Sequence, residues 1–274
     1  MKAITATEVN TLRKQTGAGM MDCKKALVES SGDFERAIDI LRRNGQKVAA
    51  QRADRKATEG VVLATTNDDN TRATIVSLNC ETDFVAKNTD FIALVQNILK
   101  VAAENFVSNK EELNALRVDS MSVGDKIVEQ IGVIGEKLEV SIESVEGVQV
   151  TSYMHPGNRL ATIVGLSEKV DDQIAKNMAM QVAAMNPIAI DKDSIPKKII
   201  DREIEVGKEK AKEEGKPEEM LEKIAMGRLN KFFKENTLIN QEFIKDRKKS
   251  VQQYLNEHKE GLTVTSFKRV GLGV

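Results

Sequence analysis

Apolar and polar residues follow two different periods along this chain, and each period predicts a different kind of element. Residues 1–45 carry apolar side chains at helical spacing and are predicted to form three short helices. Thr5 followed by Glu8 is a capping box at the start of the first helix, which is predicted to end at Gly17. The third helix is predicted to stop at Gly45. The N-terminal segment is therefore expected to be a compact helical bundle.

Strict alternation further along the chain predicts two β-hairpins that resemble each other. Gly60–Leu63 and Arg72–Leu78 recur as Gly147–Val150 and Arg159–Leu166, in each case around a polar turn. The similarity continues in a later strand, where residues 136–142 are matched with residues 261–267. Each copy is therefore predicted to contain a hairpin, helices and a closing strand in a half-buried antiparallel sheet.

These elements predict an α+β fold in three parts. The parts are a helical bundle (1–54), a first core subdomain (55–146) and a second core subdomain (147–274). Residues 194–235 have no counterpart in the first copy and are predicted to form a helical hairpin around Gly215-Lys216-Pro217. Its arms are expected to meet along an apolar seam of Ile200, Ile204, Met220, Ile224, Leu229 and Phe232.

The composition of the chain argues against a nucleic-acid-binding protein and against a membrane protein. The 41 basic and 42 acidic residues give a net charge of −1, so there is no long-range attraction to nucleic acid or an anionic membrane. No segment reaches the roughly 20 apolar residues of a membrane span, and no signal peptide is apparent, so a cytoplasmic protein is expected. Cys23 and Cys80 are predicted to be reduced thiols.

Enzymatic chemistry has little support in this sequence. His155 and His258 are the only histidines, and neither has a neighbouring ligand at metal-binding spacing. The loop from Thr16 to Gly19 lacks the Gly-Lys-Ser/Thr of a phosphate-binding P-loop. No covalent chemistry, metal or cofactor is therefore predicted.

The stretch from Cys80 to Asn88 is the most unusual in the chain. It leaves an apolar strand and enters a helical run, with Thr82 placed as an N-cap whose hydroxyl is expected to accept from a first-turn N–H. Phe84 then lies at the tip of the element rather than in its middle. The ring is either a plug in the core or a wedge offered to another protein.

Several motifs resemble the translation elongation factor Ts family, the nucleotide-exchange factors of elongation factor Tu. They are Thr82-Asp83-Phe84-Val85-Ala86-Lys87-Asn88, the run from Thr16 to Leu27, Tyr153 to Arg159, Val182 to Pro187 and Gly227 to Phe233. The resemblance covers nearly the whole chain. It implies a UBA-like N-terminal bundle, two related core subdomains and a helical hairpin of coiled-coil type in the second.

The resemblance also implies a function and its residues. Thr82, Asp83, Phe84 and Val85 would displace the magnesium ion of elongation factor Tu and so loosen GDP. The chain would bind both the GDP-bound and the nucleotide-free form of that partner. Leu12, Arg13, Met20, Met21 and His155 would contact that partner, although His155 is equally consistent with a solvated turn. Of two adjacent helical methionines, at least one is expected to be accessible, because neighbours point about 100° apart.

Two other functional classes remain open from the sequence. One is a scaffold that binds a protein without catalysing release. The other is an RNA-binding adaptor that uses Lys245 to Lys249. The chain also departs from the family pattern at Asn158 and Ala161, which replace glycines, at Gln181, where histidine is common, and at Glu242, which replaces a proline.

Overall fold

The computed structural model describes residues 3–273, and it begins with the predicted three-helix bundle. The helices are α1 (Ala6–Thr16), α2 (Met20–Glu29) and α3 (Phe34–Gln51). The capping box is confirmed, since Thr5 Oγ1 accepts from the Glu8 N–H at 3.2 Å and the Thr5 N–H donates to the Glu8 carboxylate at 2.8 Å. Gly17 ends α1 with a φ of 70°, as predicted. The bundle core contains the fully buried Leu12 and Leu27.

The predicted stop of the third helix at Gly45 is wrong. Helix α3 continues to Gln51, and Gly45 is a buried residue inside it. A Cβ at this position would lie 2.7 Å from the Val128 carbonyl oxygen, and a Cβ on Gly132 would lie 3.0 Å from the Gly45 Cα. The two glycines therefore allow two helical backbones to approach closely, which local sequence does not reveal.

The first copy of the repeat contains a hairpin, several helices and a closing strand. Its elements are β1 (Glu59–Thr66), β2 (Arg72–Cys80), α4 (Asp83–Ala86), α5 (Thr89–Asn105), α6 (Lys110–Ala115), β3 (Arg117–Val118), β4 (Met121–Ser122), α7 (Val123–Ile134) and β5 (Glu139–Glu146). The main sheet has the order β1-β2-β5. Its core includes Val76 and Leu78 of the sheet with Phe91, Val95 and Ile98 of α5.

The second copy repeats this topology. Its elements are β6 (Gln149–Met154), β7 (Leu160–Leu166), α8 (Asp172–Met185), α9 (Lys197–Glu213), α10 (Glu218–Asn236), a 3-10 turn (Leu238–Asn240), β8 (Glu242–Phe243), β9 (Asp246–Ser250), α11 (Val251–His258) and β10 (Val264–Gly271). The sheet order β10-β7-β6 corresponds to the β5-β2-β1 order of the first copy. The predicted duplication is therefore confirmed at the level of topology.

The predicted register of the two closing strands needs a correction. In the first copy Leu138, Val140 and Ile142 are buried in the core, whereas Leu262, Val264 and Phe267 pack into the second core. Leu262 therefore corresponds to Leu138 and not to Lys137. Thr265 and Ser266 together occupy the place of Ser141, so the second strand carries one extra residue.

The helical hairpin is present as α9 and α10. Gly215 ends the first arm with a φ of 72°, in agreement with the predicted turn. The seam, however, is built mainly from small residues: Gly207 and Ala225 touch across it, and Ala211 is also buried. Leu229 is buried as predicted, whereas Met220 is exposed. Small side chains let the two arms approach more closely than the predicted isoleucine seam requires.

Contacts divide the chain into two units that do not coincide with the sequence boundaries. The first unit comprises Met1–Leu63, Val76–Glu143 and Gly271–Val274, and the second comprises Ala64–Ile75 and Ser144–Val270. The domain boundaries at 54/55 and 146/147 stay predictions. Within residues 3–273, no helix has both the length and the apolar character needed to cross a membrane.

Candidate partner-binding tip and its anchoring network

Phe84 lies on an exposed tip of the first unit. Phe84 is 83% exposed, the highest value among the large apolar residues at positions 3–273, so it is not a core plug. It belongs to the single turn α4, which ends at Lys87, and Asn88 then caps α5 by accepting from the Asp90 and Phe91 N–H groups. The helical run predicted from this stretch is therefore broken in two, and the break leaves the ring outside the core.

The predicted cap by the Thr82 hydroxyl is wrong. Thr82 occupies the N-cap position of α4, but its side chain makes no capping hydrogen bond. The hydroxyl instead donates to Glu136 Oε1 at 2.6 Å, and Glu136 Oε2 accepts from the Glu81 and Thr82 N–H groups at 2.9 and 3.0 Å. A single carboxylate from the segment between α7 and β5 thus holds the entrance to the tip.

A second carboxylate, that of Glu81, makes the reciprocal contact with the residue next to Glu136. Glu81 accepts from the Lys137 N–H at 2.7 Å and from the Arg52 guanidinium at 2.8 and 3.0 Å. Lys137 Nζ in turn donates to the Ala53 and Arg55 carbonyl oxygens at 2.8 and 3.0 Å. We call Arg52, Glu81, Glu136 and Lys137 the carboxylate clamp. The clamp connects three segments: the residues directly before α4, the segment between α7 and β5, and the end of α3.

The electrostatics of the tip keep its carboxylates ionised. The Lys137 backbone N–H, followed by Arg52, holds the pKa of Glu81 below its ordinary value. Lys87 donates to Asp83 Oδ2 at 2.6 Å and lowers the pKa of that carboxyl. In contrast, burial and then the nearby Glu136 charge raise the pKa of the Cys80 thiol to about 12. Cys80 is therefore not a reactive thiolate at neutral pH.

An apolar groove of about 290 Å³ lies beside the exposed ring. Its apolar lining comes from Phe84 and Val85 of α4, Phe91 of α5 and Val133 and Ile134 of α7, and Asn88, Asp90 and Gln130 complete the lining. Val133 also packs against the core of the N-terminal bundle. Helix α7 therefore carries both one wall of the groove and the surface on which the bundle rests.

The bundle presents some of the predicted contact residues and buries one. Met20 is 53% and Met21 is 61% exposed at the start of α2, and Arg13 is exposed on α1. Leu12 is fully buried in the bundle core, so the prediction that it contacts a partner directly is corrected. Leu12 packs with Val9 and Leu27 because all three lie on the inner faces of their helices.

His155 belongs to the second unit and is described by itself. It is exposed at the turn between β6 and β7, where Nδ1 lies 3.0 Å from the Tyr153 hydroxyl. Asn158 in the same turn has a φ of 55°. Asparagine tolerates this left-handed conformation better than most residues, which explains how it replaces a glycine. Gln181, in contrast, is fully buried and bonds to Glu242 O and the Ile244 N–H.

Neither a metal site nor an isolated cationic strip is evident. In the part of the chain that the structure describes, no group of three or more His, Cys, Asp or Glu residues is placed to hold a metal ion. Within the basic run, Lys249 pairs with Glu257 at 2.6 Å and with Asp246 at 3.4 Å. Part of that positive charge is therefore neutralised locally.

Sequence reasoning missed Glu136, Lys137 and Arg52. Glu136 lies 54 and 55 positions from the groups that it binds, so no local pattern links them. One sequence feature pointed in this direction: charged residues directly precede the closing strand of the first copy. The repeat comparison placed Glu136 and Lys137 in the closing strand and assigned them no function.

An exposed aromatic tip on a rigid anchor, beside an apolar groove, is typical of proteins that act by binding another protein. The family described as Elongation factor TS matches residues 81–274. The chain is similar to proteins named Elongation factor Ts from Christiangramia forsetii (53% identical over 276 residues, 100% of both chains) and Flavobacterium psychrophilum (51% over 276 residues, 100% of both). The corresponding protein of Porphyromonas gingivalis is 50% identical over 272 residues, 98% of both chains. The chain belongs to the elongation factor Ts family of translation elongation factors.

Proposed function

We propose that this protein is the guanine-nucleotide exchange factor of elongation factor Tu. It binds the GDP-bound partner in the cytoplasm, displaces the partner's magnesium ion, releases GDP and stays bound to the nucleotide-free form. The observation that carries the proposal is the exposure of Phe84 on an anchored turn, in a chain of this family. No covalent step and no cofactor of its own enter the proposal.

Magnesium coordination makes the partner's site sensitive to small displacements. Mg²⁺ requires near-ideal octahedral geometry, so a wedge that shifts one ligand releases the ion. The diphosphate then loses its main counter-charge. Phe84 supplies the wedge, Thr82 and Val85 flank it, and Asp83 places a negative charge near the shifted site. Both members of the Asp83–Lys87 pair are accessible, so the pair is weak and easily exchanged for a partner contact.

Free-energy magnitudes limit what Phe84 contributes alone. Burying a phenylalanine side chain is worth about 1.5–3 kcal/mol, and a tenfold change in affinity needs about 1.4 kcal/mol. The ring therefore accounts for roughly one to two decades of GDP loosening. Any larger acceleration draws on Arg13, Met20 and Met21 of the bundle and on His155. Linkage makes the effect reciprocal, so nucleotide binding in turn expels the exchange factor.

The direct test is release of labelled GDP from elongation factor Tu with and without this protein. The proposal predicts a strong acceleration that saturates with added protein. Binding without acceleration would favour the scaffold alternative instead.

The contribution of the bundle is tested with a double variant, Met20→Ser with Met21→Ser. We expect a higher concentration for half-maximal release, because both side chains are exposed and their apolar surface would be lost to the partner. Val28→Ser is the matched control, since Val28 is 53% exposed on the same helix. Equal behaviour of the double variant and the wild type would remove the methionines from the interface.

A further inference from the structure

We propose that Glu136 is a positioning residue for the Phe84 tip, and that the carboxylate clamp sets the direction of the wedge. This inference rests on the proposed function but concerns residues that lie behind the tip. Glu136 makes three hydrogen bonds to two consecutive residues, Glu81 and Thr82, directly before α4.

Apart from this network, the tip is held mainly by Val85 and Ala86, which pack half-buried against the first core. Helix α4 has only four residues, and none of them is buried. A single turn of this length is not stable on its own, because helix nucleation fixes several residues for very few hydrogen bonds. The bonds from Glu136 fix the two residues at its N-terminal side, while Asn88 fixes the start of α5 on its C-terminal side. Phe84 therefore keeps one direction because both ends of its turn are anchored.

The clamp also connects the tip to the bundle. Arg52, directly after α3, binds the Glu81 carboxylate, and Lys137 binds the carbonyl oxygens of Ala53 and Arg55. Arg52 pairs with Glu81 at 2.8 Å, and Lys137 also pairs with Glu139 at 3.1 Å. Hydrogen bonds to ionised groups are stronger than neutral ones, which suits a short anchor that must resist deformation. The end of the bundle and the base of the wedge are thus held by the same four residues.

The test uses Glu136→Gln in the full-length protein. Glutamine keeps the shape but removes the charge. Its carbonyl oxygen accepts from the Glu81 and Thr82 N–H groups only as a weaker, neutral acceptor, and its amide N–H faces the Thr82 hydroxyl, which loses its own acceptor. We expect the saturating rate of GDP release to fall about tenfold, with less than about a threefold change in the half-saturating concentration. The reason is that a loosened tip reduces the fraction of productive complexes and leaves the other contacts intact. Glu104→Gln is the control, since Glu104 is an exposed carboxylate of the same unit that pairs with Lys100 at 4.0 Å and has no contact with the clamp.

A double-variant cycle distinguishes the positioning of Phe84 from a purely structural role of Glu136. In a Phe84→Ala background, Glu136→Gln should change the release rate less than about twofold, because the wedge that it orients is gone. An equal fall in both backgrounds would overturn the proposal. If Glu136→Gln proves unstable, Thr82→Val removes only the hydroxyl bond and should give a smaller fall of the same kind.

A second readout needs no partner and therefore separates this inference from the proposed function. Amide hydrogen exchange at Glu81, Thr82 and residues 86–88, whose N–H groups are all hydrogen-bonded, should be at least about tenfold faster in Glu136→Gln than in the wild type, with the rest of the first unit unchanged. Unchanged exchange at these amides would show that Glu136 does not hold the tip. Failure of the wild-type protein to release GDP would contradict the proposed function and leave the amide result to decide the inference.

Discussion

The two copies of the repeat differ at the junction between the second strand and the first helix, both in the groups that hold it and in the helix that follows. In the second copy, Val170 is held by the neutral side chain of Gln149, which bonds to its N–H at 2.7 Å and to its carbonyl at 3.1 Å. Asp171 then caps α8, which runs unbroken for 14 residues. In the first copy, the charged clamp holds the junction and the helix breaks after four residues.

The difference shows how a duplicated fold separates stability from function. Continuous helix α8 buries Ala175, Met178 and Val182 in its core. The broken helix gives up that packing over one turn and presents Phe84 to solvent instead. In place of those core contacts, hydrogen bonds to the Glu81 and Glu136 carboxylates hold the base of the turn. Glu260, which precedes the closing strand of the second copy as Glu136 precedes that of the first, is exposed.

The largest stability effect is expected where the first copy meets the bundle. Gly45→Ala would place a methyl group 2.7 Å from a backbone oxygen of α7. We expect a loss of about 1–3 kcal/mol in the free energy of unfolding, although alanine is the better helix former. The control is Gly227→Ala on α10 of the second copy, where a Cβ meets nothing within 4 Å. That change should stabilise the protein by about 0.5–1 kcal/mol, and urea unfolding that gave the same sign for both would contradict the packing argument.

The next effect concerns the charged clamp and its pH dependence. The pKa of Glu81 is lowered from its ordinary value of 4.5 in the folded protein. Its contribution to stability is therefore complete above that value and is lost as the pH falls through the lowered folded value. We expect Glu81→Gln to melt a few degrees below the wild type at neutral pH and to approach it in acid. A difference that stayed constant from about pH 7 to about pH 3 would show that the charge is not involved.

The smallest effect on stability is expected for two serines, Ser77 in the first sheet and Ser266 in the second. Ser77 and Ser141 share a hydrogen bond of 2.8 Å in the first copy. In the second copy Gly165 replaces Ser77, and the buried Ser266 hydroxyl has no partner among residues 3–273. Ser77→Ala should therefore cost about 0.5–1.5 kcal/mol, whereas Ser266→Ala should be neutral or stabilising. Thermal unfolding of both variants measures the two signs, and a clear loss from Ser266→Ala would reveal a missed partner.

Local chemistry made much of this fold predictable. The capping box of Thr5 and Glu8, the turn at Gly215 and the repeated hairpins are all encoded within a few residues, and the structure contains them. The place of Phe84 at the tip of its element was also predicted, but the stretch itself left a core plug and an exposed wedge open, and the exposure of Phe84 decides for the second. The predicted roles of Arg13, Met20, Met21 and His155 stay predictions, since exposure alone does not identify a contact.

The features that sequence reasoning missed depend on distant partners. Gly45 has the local pattern of a helix end, but its role is set by Val128 and Gly132, more than 80 positions away. Thr82 has the local pattern of a cap, but Glu136 competes successfully for its hydroxyl. Leu12 was expected to face the bundle core from its helical spacing and to contact a partner from the family resemblance, and its burial supports only the first.

The central claim is that the exposed ring of Phe84 drives release of GDP. The most direct test compares the saturating rate of GDP release from elongation factor Tu for the wild type and for Phe84→Ala. The account predicts a fall of roughly ten- to a hundredfold, while binding to nucleotide-free elongation factor Tu persists. The melting temperature should be nearly unchanged, because a side chain that is 83% exposed leaves no cavity. A variant that folds normally and releases GDP as fast as the wild type would contradict the account.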